Sequence, residues 1–135
     1  MATTQEIVEL TEMIFDQTGL ALDASYTERV RQLGDSACKA GIEATINYLS
    51  ERPELSDAEL QALSAGNIPE HIKQRDFEAH IERLNRKTDP EPDEHDKKMC
   101  EDAFNSGLSA AIHYLLKAAH TRQVDLLSLI PSNGA

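Results

Sequence analysis

The amino-acid sequence of 135 residues predicts an all-α protein. Alanine and leucine are abundant while aromatic residues make up only 4% of the chain, and apolar residues recur at helical spacing between capping and stop signals. A further observation is an internal repeat, because a stretch of the first half recurs 66 positions later. The matching pairs are Ala37/Ala103, Gly41/Gly107, Ala44/Ala110, Ile46/Ile112, Tyr48/Tyr114 and Leu49/Leu115.

The first half of the chain is predicted to form three helices. Thr3 with Glu6, and Ser56 with Glu59, have the spacing of capping boxes, which is typical of a helix start. Pro53 prevents the long second helix from continuing into the third. The predicted ranges of these helices are about Thr4–Gln17, Ser25–Ser50 and Asp57–Ala65.

The second half repeats the order of helix, long helix and short helix. A fourth helix, capped by Asn67, leads to a linker over residues 88–96, where two prolines and five acids indicate a surface segment. The fifth and sixth helices are predicted at about Asp93–Ala119 and Arg122–Ile130. We therefore predict one domain, residues 1–135, in which a pseudo-twofold axis relates the three-helix modules 1–66 and 67–135.

Gly41 and Gly107 lie inside the two long helices, where glycine costs about 1 kcal/mol relative to alanine. Close helix packing compensates for that cost, so we expect the long helices to pack along a seam of small residues. The simplest arrangement is antiparallel, with Tyr48 and Tyr114 at opposite ends of the seam. Two alternatives are an apolar ligand site and a C2 homodimer interface in the same seam.

The net charge of −11 is unevenly distributed, with −8 in residues 1–66, +1 in 67–88 and −4 in 89–135. This balance disfavours direct binding to nucleic acids and anionic membranes, which requires Lys and Arg. Acids on the fourth helix nearly cancel its basic residues, which are Lys73, Arg75, Arg83, Arg86 and Lys87. Because the chain has neither a signal-peptide pattern nor a long apolar run, we expect a cytoplasmic location.

Sequence patterns of familiar catalytic and metal sites are absent. The chain contains no Glu-x-x-His, His-Glu-x-x-His or Gly-x-Ser-x-Gly motif. His113 and His120 share a helix face, but with His95 and Cys100 they do not form a recognisable ligand set. The linker acids lack the glycine and the final glutamate of a calcium loop. These absences favour a non-enzymatic protein without a metal or cofactor. An enzyme stays an alternative, because active sites can assemble from residues that are dispersed in the sequence.

Three functions fit this pattern. The first is a small acidic, non-enzymatic protein-binding module of inhibitor, immunity or adaptor type, acting on a basic protein partner. The alternatives are a helical enzyme or sensor that binds a small molecule or metal between the repeats, and an acidic nucleic-acid mimic that blocks a DNA- or RNA-binding protein. The candidate partner-binding residues are the acids of two segments, Glu51, Glu54, Asp57 and Glu59, and Asp89, Glu91, Asp93, Glu94 and Asp96.

Overall fold

Five α-helices and one short 3-10 helix account for the regular structure of the chain in the computed structural model, which describes residues 4–88 and 90–131. These residues contain no β-strand, so the predicted all-α class is confirmed. The capping box predicted at Thr3 lies outside them. The α-helices, numbered α1 to α5 in chain order, are Thr4–Thr18, Glu28–Ser50, Asp57–Ser64, Glu70–Lys87 and Glu94–Arg122, and the 3-10 helix is Leu126–Leu129.

The sixth predicted α-helix, Arg122–Ile130, is wrong. α5 continues to Arg122 and ends at Gln123, whose left-handed backbone has a φ of 55°. Only a single 3-10 turn then forms before Pro131. Because proline disfavours the α conformation in the preceding residue, Ile130 is extended, and the space between Gln123 and Pro131 is too short for a further helix.

Two of the predicted helix starts are also wrong. The side chain of Thr27, not that of Ser25, caps α2, because Ser25 is hydrogen-bonded to the Asp23 carboxylate in the preceding turn. α4 begins after Pro69 without a side-chain cap, because Asn67 accepts a hydrogen bond from the amide of its neighbour. Local side-chain bonds of this kind compete with capping and shift a helix boundary by a few residues.

α2 and α5 pack side by side and run parallel. Near the start of both helices, Arg29 Nη2 lies 3.2 Å from Asp96 Oδ2. Further along both, Thr45 Oγ1 lies 3.5 Å from the Leu108 carbonyl oxygen. Residue numbers increase in the same direction along both helices from the first contact to the second, so the helices are parallel. The antiparallel packing expected from the sequence is therefore wrong.

The reason for the parallel packing is the path of the chain between the two long helices. α4 leads the chain back along α2, so α5 begins at the same end as α2. Tyr48 and Tyr114 therefore lie toward the same end of the seam, rather than at opposite ends.

The seam brings backbone against backbone at two glycines. A Cβ atom at Gly41 would overlap the carbonyl oxygen of Phe104, and one at Gly107 would overlap the carbonyl oxygen of Cys38. The offset of 66 residues relates the first contact to the second. Close packing at these glycines is thus confirmed, and the seam has no room for a ligand at this level.

α1 and α4 each contact both long helices and run antiparallel to them. On α1, Glu12 forms an ion pair with Lys39 at 3.1 Å, and the segment after α1 returns to an earlier part of α2, where the Leu22 amide bonds Asp35. On α4, Leu84 packs near Leu33 at the start of α2. The four helices form an up-down-up-down bundle.

The core is mainly aliphatic and lies between these four helices. Its completely buried side chains include Ile14, Ile42, Ile46 and Leu108. At the end of the bundle where α2 stops, α3 and the C-terminal 3-10 turn pack against α5. The segment between α2 and α3 lies at this same end, which positions its acidic side chains.

Substitution of Gly41 by alanine tests the seam. The added Cβ must push two backbones apart, so we expect a loss of at least about 2 kcal/mol in unfolding free energy despite a gain of roughly 1 kcal/mol in helix propensity. Gly34→Ala is the matched control, because its Cβ meets only the end of the Leu22 side chain, at 2.7 Å, and no backbone atom. Urea unfolding of both variants provides the comparison, and equal stabilities would contradict a tight seam.

Candidate functional site

The segment between α2 and α3 exposes three carboxylates without an internal partner. Glu51 follows the last turn of α2, Glu54 lies in the connection, and Asp57 opens α3. All three are exposed, and none forms a hydrogen bond or an ion pair through its side chain with another described residue. Arg52 is the single base between residues 51 and 59, and it forms an ion pair with Glu59 rather than with these three acids.

Glu59, the fourth acid of this segment, stabilises the chain itself. Its Oε1 accepts the Ser56 amide at 3.1 Å and completes the predicted capping box, while its Oε2 accepts the Tyr48 hydroxyl at 2.8 Å. Arg52 Nε lies 2.7 Å from the same Oε2, although its N–H does not point at that oxygen. The hydrogen bonds from Ser56 and Tyr48, with Arg52, hold the pKa of the Glu59 carboxyl below its usual range.

Arg52 also joins Tyr48 to this arrangement, since its guanidinium carbon lies 4.0 Å from the centre of the phenol ring. Cation–π contact and ion pairing therefore hold one arginine against two helices. The cluster of Tyr48, Arg52 and Glu59 fixes α3 to the end of α2. It determines where the three unpaired carboxylates are presented.

The second acidic segment, at the start of α5, is largely occupied by structural bonds. Asp93 and Asp96 form a reciprocal capping box, with side-chain to amide distances of 2.8 and 3.2 Å. Arg29 of α2 binds both the Asp96 carboxylate and the Pro90 carbonyl oxygen, at 3.2 and 3.0 Å. The hydrogen bond from the Asp93 amide, then Arg29, lowers the pKa of the Asp96 carboxyl.

The remaining acids of this second segment differ in their surroundings. Glu91 is exposed and has no partner among the described residues, whereas Glu94 lies 3.7 Å from Lys97. Asp89 lies outside the described residues. The two acidic segments sit at opposite ends of α2, about 30 Å apart at 1.5 Å per residue. They do not form one site.

One group of potential metal ligands occurs among the described residues. Ligand atoms of Asp93, His95 and Asp96 lie within 4.8 Å of one another. The capping box and Arg29 account for this proximity, because they hold both carboxylates beside the helix start. Within the same part of the chain, no group of three ligands includes His113 or His120.

Cys38 and Cys100 are both free and buried in the bundle. Burial, and secondarily the carboxylates of Asp35 and Asp96, raises the pKa of each thiol to about 11. Both thiols are therefore protonated near neutral pH. Neither has the thiolate character that nucleophilic catalysis requires.

No known protein family, curated protein sequence or solved structure matches this chain. Within the described ranges, no helix is both long enough and apolar enough to cross a membrane. The class of protein defined by the fold and surface is a helical bundle that exposes unpaired carboxylates where α2 meets α3.

His80 is a buried polar residue that motif searches overlook. It lies three residues after Phe77 and four before Leu84, and this spacing predicts the buried face of a helix. A polar side chain at such a position is the signal that could have identified it from sequence.

Tyr48→Phe tests the cluster that positions α3. Loss of the hydroxyl removes the hydrogen bond to Glu59, so we expect the unfolding free energy to fall by about 1 kcal/mol. Tyr114→Phe is the matched control at the repeat-related position, where the hydroxyl has no partner among the described residues. We expect it to change stability by less than about 0.5 kcal/mol in the same urea titration. Equal losses would contradict a role specific to Tyr48.

A thiol-reactive disulfide reagent tests the state of the cysteines. In the native protein at mildly alkaline pH, both thiols should react at least about 100-fold more slowly than free cysteine, because burial and a high pKa suppress the thiolate. In concentrated guanidinium chloride, both of the chain's cysteines should react rapidly. Fast modification of the native protein would show an exposed, reactive thiol.

Proposed function

We propose that the protein is a small acidic, non-enzymatic protein-binding module, of inhibitor, immunity or adaptor type, whose partner presents a basic surface. The observation that carries this proposal is the set of exposed, unpaired carboxylates of Glu51, Glu54 and Asp57. A partner's Lys and Arg side chains supply the counter-charge that this part of the chain lacks. The negative field accelerates the encounter of the two proteins.

Apolar surface beside these carboxylates supports the same proposal. Leu60 is 40% exposed and lies one turn after Asp57, on the same face of α3. Half-buried Leu55 lies in the same segment. Protein interfaces combine an apolar centre with a charged rim, and this surface offers both within a few residues.

Of the nine acids expected to bind a partner, the structure describes eight, all but Asp89, and these eight differ in the bonds that they form. Glu59, Asp93 and Asp96 stabilise the chain itself, so the proposed binding surface depends on Glu51, Glu54 and Asp57. Glu91 and Glu94 form a smaller acidic surface at the opposite end of the bundle. We propose that Glu91 and Glu94 contribute less to binding of the partner.

We also propose that the chain is one domain of two duplicated modules, residues 1–66 and 67–135, related by an axis along α2 and α5. The equivalent contacts of Gly41 with Phe104 and of Gly107 with Cys38 support this symmetry. The free thiols support the cytoplasmic location that we propose, since disulfides are rare there.

Neutralising the three carboxylates tests the proposed function. The variant Glu51→Gln, Glu54→Gln, Asp57→Asn should lose the basic proteins that the immobilised wild-type chain captures from its host at low salt. Its association rate constant with each purified partner should fall at least about tenfold, because the rim charges steer the encounter. Surface plasmon resonance measures that constant, and competition by DNA distinguishes nucleic-acid mimicry from ordinary docking.

A matched control removes three other exposed acids that form no ion pair, in the variant Glu9→Gln, Asp16→Asn, Glu78→Gln. Glu9 and Glu78 accept hydrogen bonds from Gln5 and Gln74 on their own helices. The control has the same net charge as the test variant and should bind within about threefold of wild type. Equal effects of the two variants would show that binding depends on the net charge of the protein and not on these three carboxylates. Capture of no basic partner by the wild-type chain would contradict the proposal.

A further inference from the structure

A groove of about 230 Å³ lies between α2 and α4. Lys39 and Glu43 line it from α2, while His80, Arg83 and Lys87 line it from α4. Its volume is below the usual range for drug-sized ligands, so it suits a compact ligand. The surface proposed to bind a protein partner lies elsewhere, and the two proposals are independent.

Two cations at the groove lack a partner in a strongly acidic chain. The other basic residues of α4 form ion pairs on that helix, Lys73 with Glu70, Arg75 with Asp76 and Arg86 with Glu82. Arg83 and Lys87 form none with any described residue. Since the chain has 24 acids and only 13 Lys and Arg residues, two unpaired cations side by side are unexpected.

The α2 side of the groove adds one cation and one anion. Lys39 Nζ lies 3.1 Å from Glu12 and 4.9 Å from the centre of the Phe15 ring, so α1 holds its position. Glu43 is the single carboxylate among the lining residues, and it is not within ion-pair distance of the cations. Three cations outnumber two carboxylates, Glu43 and the Glu12 partner of Lys39, so the groove keeps a positive local charge.

His80 supplies a polar group at the inner wall. Only 5% of the residue is exposed, and its Nε2 is buried without a hydrogen-bond partner among the described residues. Burial, followed by the nearby charges of Arg83 and Lys87, lowers the pKa of the imidazole to about 4. A neutral imidazole carries one N–H, which can donate to an oxyanion.

We propose that this groove binds a phosphate group, as inorganic phosphate or a small phosphate monoester, between Arg83, Lys87 and Lys39, with His80 as a neutral hydrogen-bond donor. Phosphate fits better than a carboxylate, because its tetrahedral oxygens reach donors on two helices and its double charge matches several cations. Glu43 lowers the net positive charge of the groove and so weakens anion binding, which keeps that binding reversible.

Calorimetry and NMR at mildly alkaline pH and constant ionic strength test this proposal. Inorganic phosphate and glycerol phosphate should each be titrated, with acetate as the carboxylate comparison. We expect one phosphate per chain, a dissociation constant of about 1 mM or tighter, and at least tenfold weaker binding of acetate. If inorganic phosphate binds more tightly than glycerol phosphate, the ligand is free phosphate. If glycerol phosphate binds more tightly, the ligand is a phosphate monoester.

Two double variants provide the matched comparison. Arg83→Gln with Lys87→Gln should weaken phosphate binding at least about tenfold, since two charge-assisted hydrogen bonds are lost. Arg75→Gln with Arg86→Gln changes the net charge equally, on exposed α4 residues outside the groove, and should stay within about threefold of wild type.

The His80 ring provides a local signal. Long-range proton–nitrogen spectra should show the His80 ring nitrogens shifting on binding, with one nitrogen in a protonated, pyrrole-like form, because a hydrogen bond donated to phosphate fixes one tautomer. The absence of saturable binding would overturn the proposal. Equal weakening in both double variants, or binding that leaves the His80 resonances unchanged, would overturn it as well.

Discussion

The contact of backbone with backbone between α2 and α5 is the constraint on which the rest of this structure depends. Gly41 and Gly107 allow each helix to meet a carbonyl group of the other, at Phe104 and Cys38. Because α2 and α5 are this close, α1 and α4 can each pack against both of them. The core is then mainly aliphatic, with Phe104 as its largest completely buried side chain, which agrees with a sequence of few aromatic residues.

The charged side chains of this protein fall into two groups, those that form ion pairs within the chain and those that do not. Arg52 and Arg29 each bind a carboxylate at a helix start, and both contacts join separate elements. Because these bases are committed to structure, the acids near Arg52 are left without a partner. The same division on α4 leaves Arg83 and Lys87 free at the groove while their neighbours pair locally. Unpaired charge of each sign therefore occupies a separate part of the surface.

The sequence predicts local features well and long-range geometry poorly. The five α-helices and the close approach at Gly41 follow from periodicity, capping and small residues. The direction of α5 relative to α2 depends on the path of α4, which no local pattern encodes. Similarly, the acids of residues 51–59 look alike in sequence, but only the fold places the Tyr48 hydroxyl on Glu59. His80 becomes a candidate ligand only when α2 closes one side of its groove.

The parallel seam also has a consequence for how fast the chain folds. Its contacts join residues more than sixty positions apart, so the entropy of closing a long loop is lost before the glycine contacts form. We therefore expect this bundle to fold more slowly than one built from local contacts alone.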